Sequence, residues 1–230
     1  MNKTRKYDTI IFDMDGTLLN TIDDIVDSVN FVLKKNGYPI RTYDEIISFV
    51  GNGAAKLIEL VLPNGLYNPF YKNCLDEYRY YYSKNMDYKT SPYEGIKELL
   101  KELSGKNYKM AIVSNKNDED IKNLSKKYFS DYINIAIGES KSTMKKPAPD
   151  MVYNALKELK SSSETAIFVG DSDVDIQTAN NANIPCISVS WGFRSTLFLK
   201  EHGASCIVSE PNELLEILKE QHEKLNTIGS

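Results

Sequence analysis

The sequence predicts an α/β protein, a parallel sheet with helices on both faces, interrupted after its first strand by an all-helical insertion. Three observations carry this expectation. Short apolar, strand-forming runs recur at 10–12, 109–113, 166–169 and 185–189, and each is followed by residues at helical spacing or by a polar loop. Repeated β-then-α units build a parallel sheet. Residues 20–86 break that alternation with four successive helical patterns. Finally, 230 residues with 41% hydrophobic and 26% charged content are enough for one large domain or two smaller ones. The division expected is a core of 1–19 and 87–230 with a helical unit, 20–86, inserted after the first strand.

Ile10, Ile11 and Phe12 open the sheet: an apolar run without polar alternation suits a parallel strand covered on both faces. Asp13 stands at its carboxyl end, where open α/β sheets bind ligands. If Met14 stays extended, Asp15 points to the same side, and Gly16 lets the chain turn away. In the insertion, Ile25, Val26, Val29, Val32 and Leu33 set a helix over 23–35, stopped by Gly37. Thr42 and Glu45 form a capping box for the next. A third spans about 53–62, ended by Pro63, and a fourth about 69–85. The fourth carries Tyr78, Tyr80, Tyr81 and Tyr82, expected to pack against neighbouring helices or sit at the rim. DYKTSPY, 87–93, is a hinge-like return.

From there helix 94–103, strand 109–113, helix 118–127, a weak strand 133–137, helix 150–159, strand 166–169, helix 173–180, strand 185–189, a short strand 206–208 and helix 213–219 follow in turn. The tail from Gln221 is expected to fray.

Composition narrows the function. A formal charge of -4 and a pI near 5.4 give no electrostatic footprint for nucleic acid. MNKTRKYD lacks the apolar region of a signal peptide and no run reaches transmembrane length, so no membrane partner and a cytoplasmic location are expected. Cys74, Cys186 and Cys206 are odd in number and widely spaced, which argues against a disulfide framework or a zinc site. The chain is read as a monomer or homodimer.

Three further strand ends or loops carry polar residues suited to chemistry. Ser114 and Asn115 close VSN; taken alone such a pair reads as the start of a turn, and the alternative is that the hydroxyl and nearby backbone N–H groups hold phosphate oxygens. GDSDVD supplies Asp171, Asp173 and Asp175 after a strand; such acids cap helices, yet three in five residues fit magnesium, which prefers hard oxygen ligands. Lys146, in a proline-bounded loop, is placed to balance them, whereas Lys145 is expected to be solvated.

DMDGTLLN, VSN, Lys146 and GDSDVD, in that order, resemble the four motifs of the haloacid dehalogenase superfamily, along nearly the whole chain. The resemblance implies a Rossmann-like core with a helical cap. It implies Asp13 as nucleophile and Asp15 as general acid and base, with a direct metal contact by Asp15 left open. Ser114 would bind the transferring phosphoryl group, with Asn115 beside it, and Lys146 would neutralise charge. Asp171 would hold Mg²⁺ with Asp13, and Asp175 would support the metal or Lys146; Asp173 is expected to face away.

In this family a helical insertion closes over the site and selects the substrate. The loop expected to reach the site is 49–60: Gly51, Asn52 and Gly53 allow close backbone approach, and Lys56 is placed to meet a substrate carboxylate. A dinucleotide fingerprint at G-N-G-A-A-K is disfavoured, because a Lys stands where a small residue is needed. V-G-N-G, SWGFRS and the later HGA look most like the phosphoglycolate phosphatase branch. The expected activity is Mg²⁺-dependent hydrolysis of a small phosphorylated metabolite, 2-phosphoglycolate first. A pyrophosphatase, a phosphomutase of the β-phosphoglucomutase kind and a non-catalytic phosphate-binding module are the alternatives.

Overall fold

The computed structural model describes residues 6–218. The sequence expectations for residues 1–5, for Lys219 as the last helical residue and for a frayed tail from Gln221 lie outside them. Among the described residues six strands form one parallel sheet. They are β1 (Thr9–Phe12), β4 (Lys109–Asn117), β5 (Ile135–Glu139), β6 (Ala166–Gly170), β7 (Cys186–Val189) and β8 (Ile207–Val208), in the order β5-β4-β1-β6-β7-β8. β1 is central, registered Ile10 with Met110 on one side and with Ile167 on the other. Its residues alternate between two buried layers: Ile10 and Phe12 join one apolar cluster, Ile11 the other. That is why the run carries no polar alternation. The chain builds β4 and β5 on one side of β1, then crosses to β6 on the other, so the strand order reverses beside β1. Ligands of open α/β sheets bind at such a point, outside the carboxyl ends of the strands.

The helices flanking the sheet are α5 (Ile96–Gly105), α6 (Asp118–Phe129), α7 (Asp150–Glu158), α8 (Asp173–Asn181) and α9 (Thr196–Glu201), and residues 211–218 are also helical. Between β1 and α5 lie α1 (Ile22–Lys35), α2 (Tyr43–Phe49), α3 (Ala54–Val61) and α4 (Tyr71–Asn85), joined to the sheet through a two-residue ribbon of β2 (Leu19–Asn20) and β3 (Ser91–Pro92). The capping box forms as the T-x-x-E spacing predicts: Glu45 N–H donates to Thr42 Oγ1, and Glu45 Oε2 accepts from Thr42 N–H. The α4 tyrosines divide. Tyr78 and Tyr82 are buried and stacked, Tyr81 stacks on Phe31 of α1, and Tyr80 is exposed.

The structure departs from the sequence reading or adds to it in several places, β5 lying at Ile135–Glu139 where 133–137 was expected. Strand β4 continues to Asn117, four residues past Val113, because its polar end stays extended and pairs Asn117 with Glu139 after a register shift. Helix α9 was not foreseen; Ser195 starts it by accepting from Phe198 N–H. The return segment is fastened by Asp24, a buried carboxylate of α1 that accepts from the N–H groups of Lys89 and Thr90 and from the Thr90 hydroxyl, all within 3.0 Å. No helix among the described residues is long and apolar enough to cross a membrane.

Candidate active site

Four segments meet at the carboxyl ends of β1, β4 and β6. β1 ends at Asp13, which is buried, and the next residues turn sharply: Gly16 has φ +86°, and the N–H groups of Thr17, Leu18 and Leu19 donate to the Met14 carbonyl. A Cβ on Gly16 would collide with the Asp171 carboxylate, so the glycine serves both the turn and the close approach. β6 delivers Asp171 and then α8, whose first turn is closed by a capping box between Ser172 and Asp175. The loop before α7 carries Lys146 inward.

Lys146 Nζ donates to Asp13 Oδ1 and to Asp175 Oδ1, each at 2.6 Å, with all three side chains almost wholly buried. The other Asp175 oxygen accepts from Ser172 N–H and Oγ. Asp171 Oδ2 accepts from Phe193 N–H at 2.6 Å and its Oδ1 from Thr17 Oγ1 at 3.4 Å. Asp13 Oδ2 has no hydrogen-bond partner among the described residues, and Asp13 lines the cavity above the sheet.

Asp13, Asp171 and Asp175 each offer an oxygen within 4.8 Å of the other two. Burial drives the Asp13 carboxyl well above the usual carboxylate range; Lys146 pulls it back, while Asp175, Asp171 and Asp15 push it further up. Asp171 is pushed up to about 7, by burial first and Asp175 second, against the Phe193 amide and the charges of Arg194 and Lys146. For Lys146 burial works against the ammonium, but Asp13 and Asp175 outweigh it and its pKa rises, so it stays charged. Three buried carboxylates therefore face one ammonium. That excess negative charge, on hard oxygen donors, fits a divalent cation such as Mg²⁺.

Asp15 stands apart from that trio. It accepts from Thr21 Oγ1 at 2.7 Å and pairs with Lys116 at 3.1 Å, on the side of the cavity nearer the helices. Ser114 is buried, lines the cavity and its Oγ accepts from Lys116 N–H at 3.3 Å. The Asn115 amide is used within the protein: it spans the main chain of Lys146, accepting from its N–H and donating to its carbonyl, and also donates to the Gly51 carbonyl. Gly51 and Gly53 line the cavity with positive φ, and a Cβ on Gly53 would lie 3.1 Å from the Asn115 carbonyl.

Asn52 and Lys56 do not line the cavity. Asn52 contributes its carbonyl to Lys145 at 2.8 Å, so Lys145 is half-buried and bonded, not solvated as expected. Lys56 pairs with Glu59 instead; at 3.6 residues per turn α3 turns Ala54 and Leu57 to the cavity and Lys56 away. Asp173, at the start of α8, joins neither the acidic trio nor the cavity wall.

The residues missed were those whose partners come from distant segments. Lys116 is buried with its Nζ 2.6 Å from Tyr82 Oη. Arg194 donates to the carbonyls of Ile47, Ser48 and Val50, holding the end of α2 against the sheet. Lys116 follows VSN directly, and Arg194 lies in SWGFRS; those were the available signals.

Residues 10–189 match the family model described as haloacid dehalogenase-like hydrolase. The chain belongs to this hydrolase family. A phosphoglycolate phosphatase of Aquifex aeolicus is 31% identical over 91% of this chain and 95% of its own length. A protein of Caldanaerobacter subterraneus named as a candidate pyrophosphatase, PpaX, is 30% identical over 95% of this chain and all of its own. The crystal structure of a candidate phosphoglycolate phosphatase from Lactobacillus delbrueckii superposes with a TM-score of 0.88 at 34% identity, covering 93% of this chain and 98% of that one. The dehalogenase-like sheet thus sets Asp13, Lys146 and Asp171 together, while the α2–α3 loop closes the other side of the cavity.

Proposed function

We propose that this dehalogenase-like hydrolase is a Mg²⁺-dependent phosphatase that cleaves a small phosphorylated metabolite through an aspartyl-phosphate on Asp13, with 2-phosphoglycolate the favoured substrate. The observation that carries the reading is the asymmetry of Asp13, which lines the cavity: Oδ1 is held by Lys146, while Oδ2 has no hydrogen-bond partner among the described residues. Oδ2 attacks phosphorus as the bond to the bridging ester oxygen breaks, and Asp15 gives that oxygen its proton. Asp15 then takes a proton from water, whose oxygen attacks phosphorus and releases phosphate and the Asp13 carboxylate. Splitting hydrolysis in this way replaces one difficult step by two easier ones.

Ser114 is placed to donate to a phosphoryl oxygen, and Lys146 to offset its charge while remaining tied to Asp175. Asp13 and Asp171 are the residues to hold Mg²⁺, with Asp175 orienting Lys146 and Ser172. The bound ion would supply charge neutralisation for phosphoryl transfer. Residues 20–86 are read as the cap over this site, since Val50, Gly51, Gly53, Ala54 and Leu57 form its roof. A roof of this kind excludes water while the leaving group departs.

Pyrophosphate is the second candidate, supported by the PpaX relative. Phosphate release should be measured from 2-phosphoglycolate, pyrophosphate, glucose phosphates and ethyl phosphate, with Mg²⁺ and with chelator. The expected result is release that chelator stops and Asp13→Asn abolishes while the circular-dichroism spectrum is unchanged. Undiminished turnover by a verified Asp13→Asn protein would remove Asp13 as nucleophile.

A further inference from the structure

Four cationic side chains line the cavity: Arg79, Lys116, Lys146 and Arg194. Two already serve the protein elsewhere, Lys146 held by two carboxylates at the nucleophile and Arg194 by three main-chain carbonyls of the helical segment. Arg79 is exposed at the rim. Lys116 is buried on the leaving-group side of the proposed reaction: only 6% of its side chain is exposed, and its ammonium lies 3.1 Å from Asp15 Oδ1. Tyr82 of α4 holds it from the helical side, with Oη at 2.6 Å and the ring centroid at 4.3 Å. Asp120, also in the cavity wall, lies near enough for the Lys116 charge to pull its carboxyl down against the rise that burial causes.

The proposed reaction places the phosphoryl group between Asp13 and Ser114 and the bridging ester oxygen beside Asp15. A group one carbon beyond that oxygen then lies beside Lys116. Donor geometry points the same way. An ammonium has three N–H donors, and among the described residues Lys116 directs them to Asp15 and Tyr82. A third is left to meet an anion on the substrate.

We propose that Lys116, oriented by Tyr82, determines specificity by pairing with a carboxylate close to the bridging oxygen of the substrate, so the preferred substrates are phosphate monoesters of small hydroxy acids. The assignment rests on the phosphatase reading above, and it moves carboxylate recognition from the cap residue Lys56 to a strand end of the sheet.

The test compares kcat/KM for 2-phosphoglycolate with that for ethyl phosphate, which has a leaving group of the same length without the carboxylate. Full-length wild type, Lys116→Met, Lys116→Arg and Tyr82→Phe are assayed with Mg²⁺. Wild type should prefer 2-phosphoglycolate. Lys116→Met should lower that preference about ten-fold or more, chiefly through KM, as expected for losing a desolvated charge partner. Lys116→Arg should recover part of it, and Tyr82→Phe should show a smaller fall of the same sign, which keeps the test open if the Met variant fails to fold.

Equal losses on both esters would overturn the proposal, since Lys116 would then act only through Asp15. A wild type that treats the two esters alike would overturn it while leaving the phosphatase intact. A folded wild type that releases phosphate from no ester would sink both readings together.

Discussion

The sheet and the helical segment 22–85 meet across one cavity, and they contribute to it in opposite ways. The sheet presents charge: Asp13, Asp15, Lys116, Lys146 and Asp171 all leave strand ends or the loops beside them. The helices present chiefly apolar side chains, tyrosines and backbone, with Val50, Ala54, Leu57, Tyr78 and Tyr82 facing inward. Even the links between the halves follow this split. Arg194, Lys145 and Asn115, all from the sheet side, donate to carbonyls at 47, 48 and 50–52. Buried charge needs a rigid frame with fixed partners. Under the proposed cap reading, a surface that opens and closes does better with groups that can be handed to water at little cost.

That contrast can be broken most severely at Lys146. Lys146→Met leaves Asp13 and Asp175 buried without their cation, and losing one partner of such a pair costs about 3–5 kcal/mol. Urea unfolding at pH 8 should show a loss of that order and a smaller one at pH 5, closer to the raised range in which burial puts the Asp13 carboxyl. Equal losses at both pH values would mean that the carboxylates are not what Lys146 stabilises.

The second prediction concerns pH. The folded pKa of Asp171, about 7, lies above its ordinary value of 3.8. Between those values the folded state binds more protons than the unfolded one. Stability of the chelated protein should therefore fall as pH rises from about 4 through 7, and the penalty is complete above 7. In the proposed reading Mg²⁺ would bind the ionised form, so it should raise the melting temperature more at pH 8 than at pH 5. A Mg²⁺ effect independent of pH would contradict this account.

On the helical side the expected effects are smaller. Arg194→Met removes the donors to Ile47, Ser48 and Val50, whose carbonyls can turn to solvent. A loss of about 1–3 kcal/mol is expected, together with faster proteolysis between residues 47 and 53. Unchanged proteolysis would show that Arg194 does not restrain the loop. The smallest effect should come from Lys56→Ala. Its half-exposed pair with Glu59 is worth well under about 1 kcal/mol, and KM for 2-phosphoglycolate should stay within about two-fold of wild type. A several-fold rise would return Lys56 to the site.

The sheet was legible because its signals are local. Ile10-Ile11-Phe12 must be buried on both faces, and the acid that ends the run must emerge where the order of strands reverses. The acid after β6 could be placed in the same way. The α2–α3 segment was legible as helices and as a close approach, since Gly51 and Gly53 announce unusual backbone. Its side chains were assigned less well. Lys56 looked available for a ligand because the sequence shows neither the rotation of α3 about its axis nor Glu59 as its partner. The sequence likewise carried no sign that the Asn115 side chain ties the Lys146 main chain to Gly51.

By itself the sequence determined the α/β order, the helical insertion and the acids at strand ends, because strand burial, helix periodicity and turn chemistry act over a few residues. Tertiary structure alone decided which cation serves which anion. Lys146 reaches Asp13 across 133 positions, Lys116 reaches Tyr82 across 34, and Arg194 reaches Val50 across 144. Such pairings depend on how separately folded elements are oriented after packing. No spacing rule records that orientation.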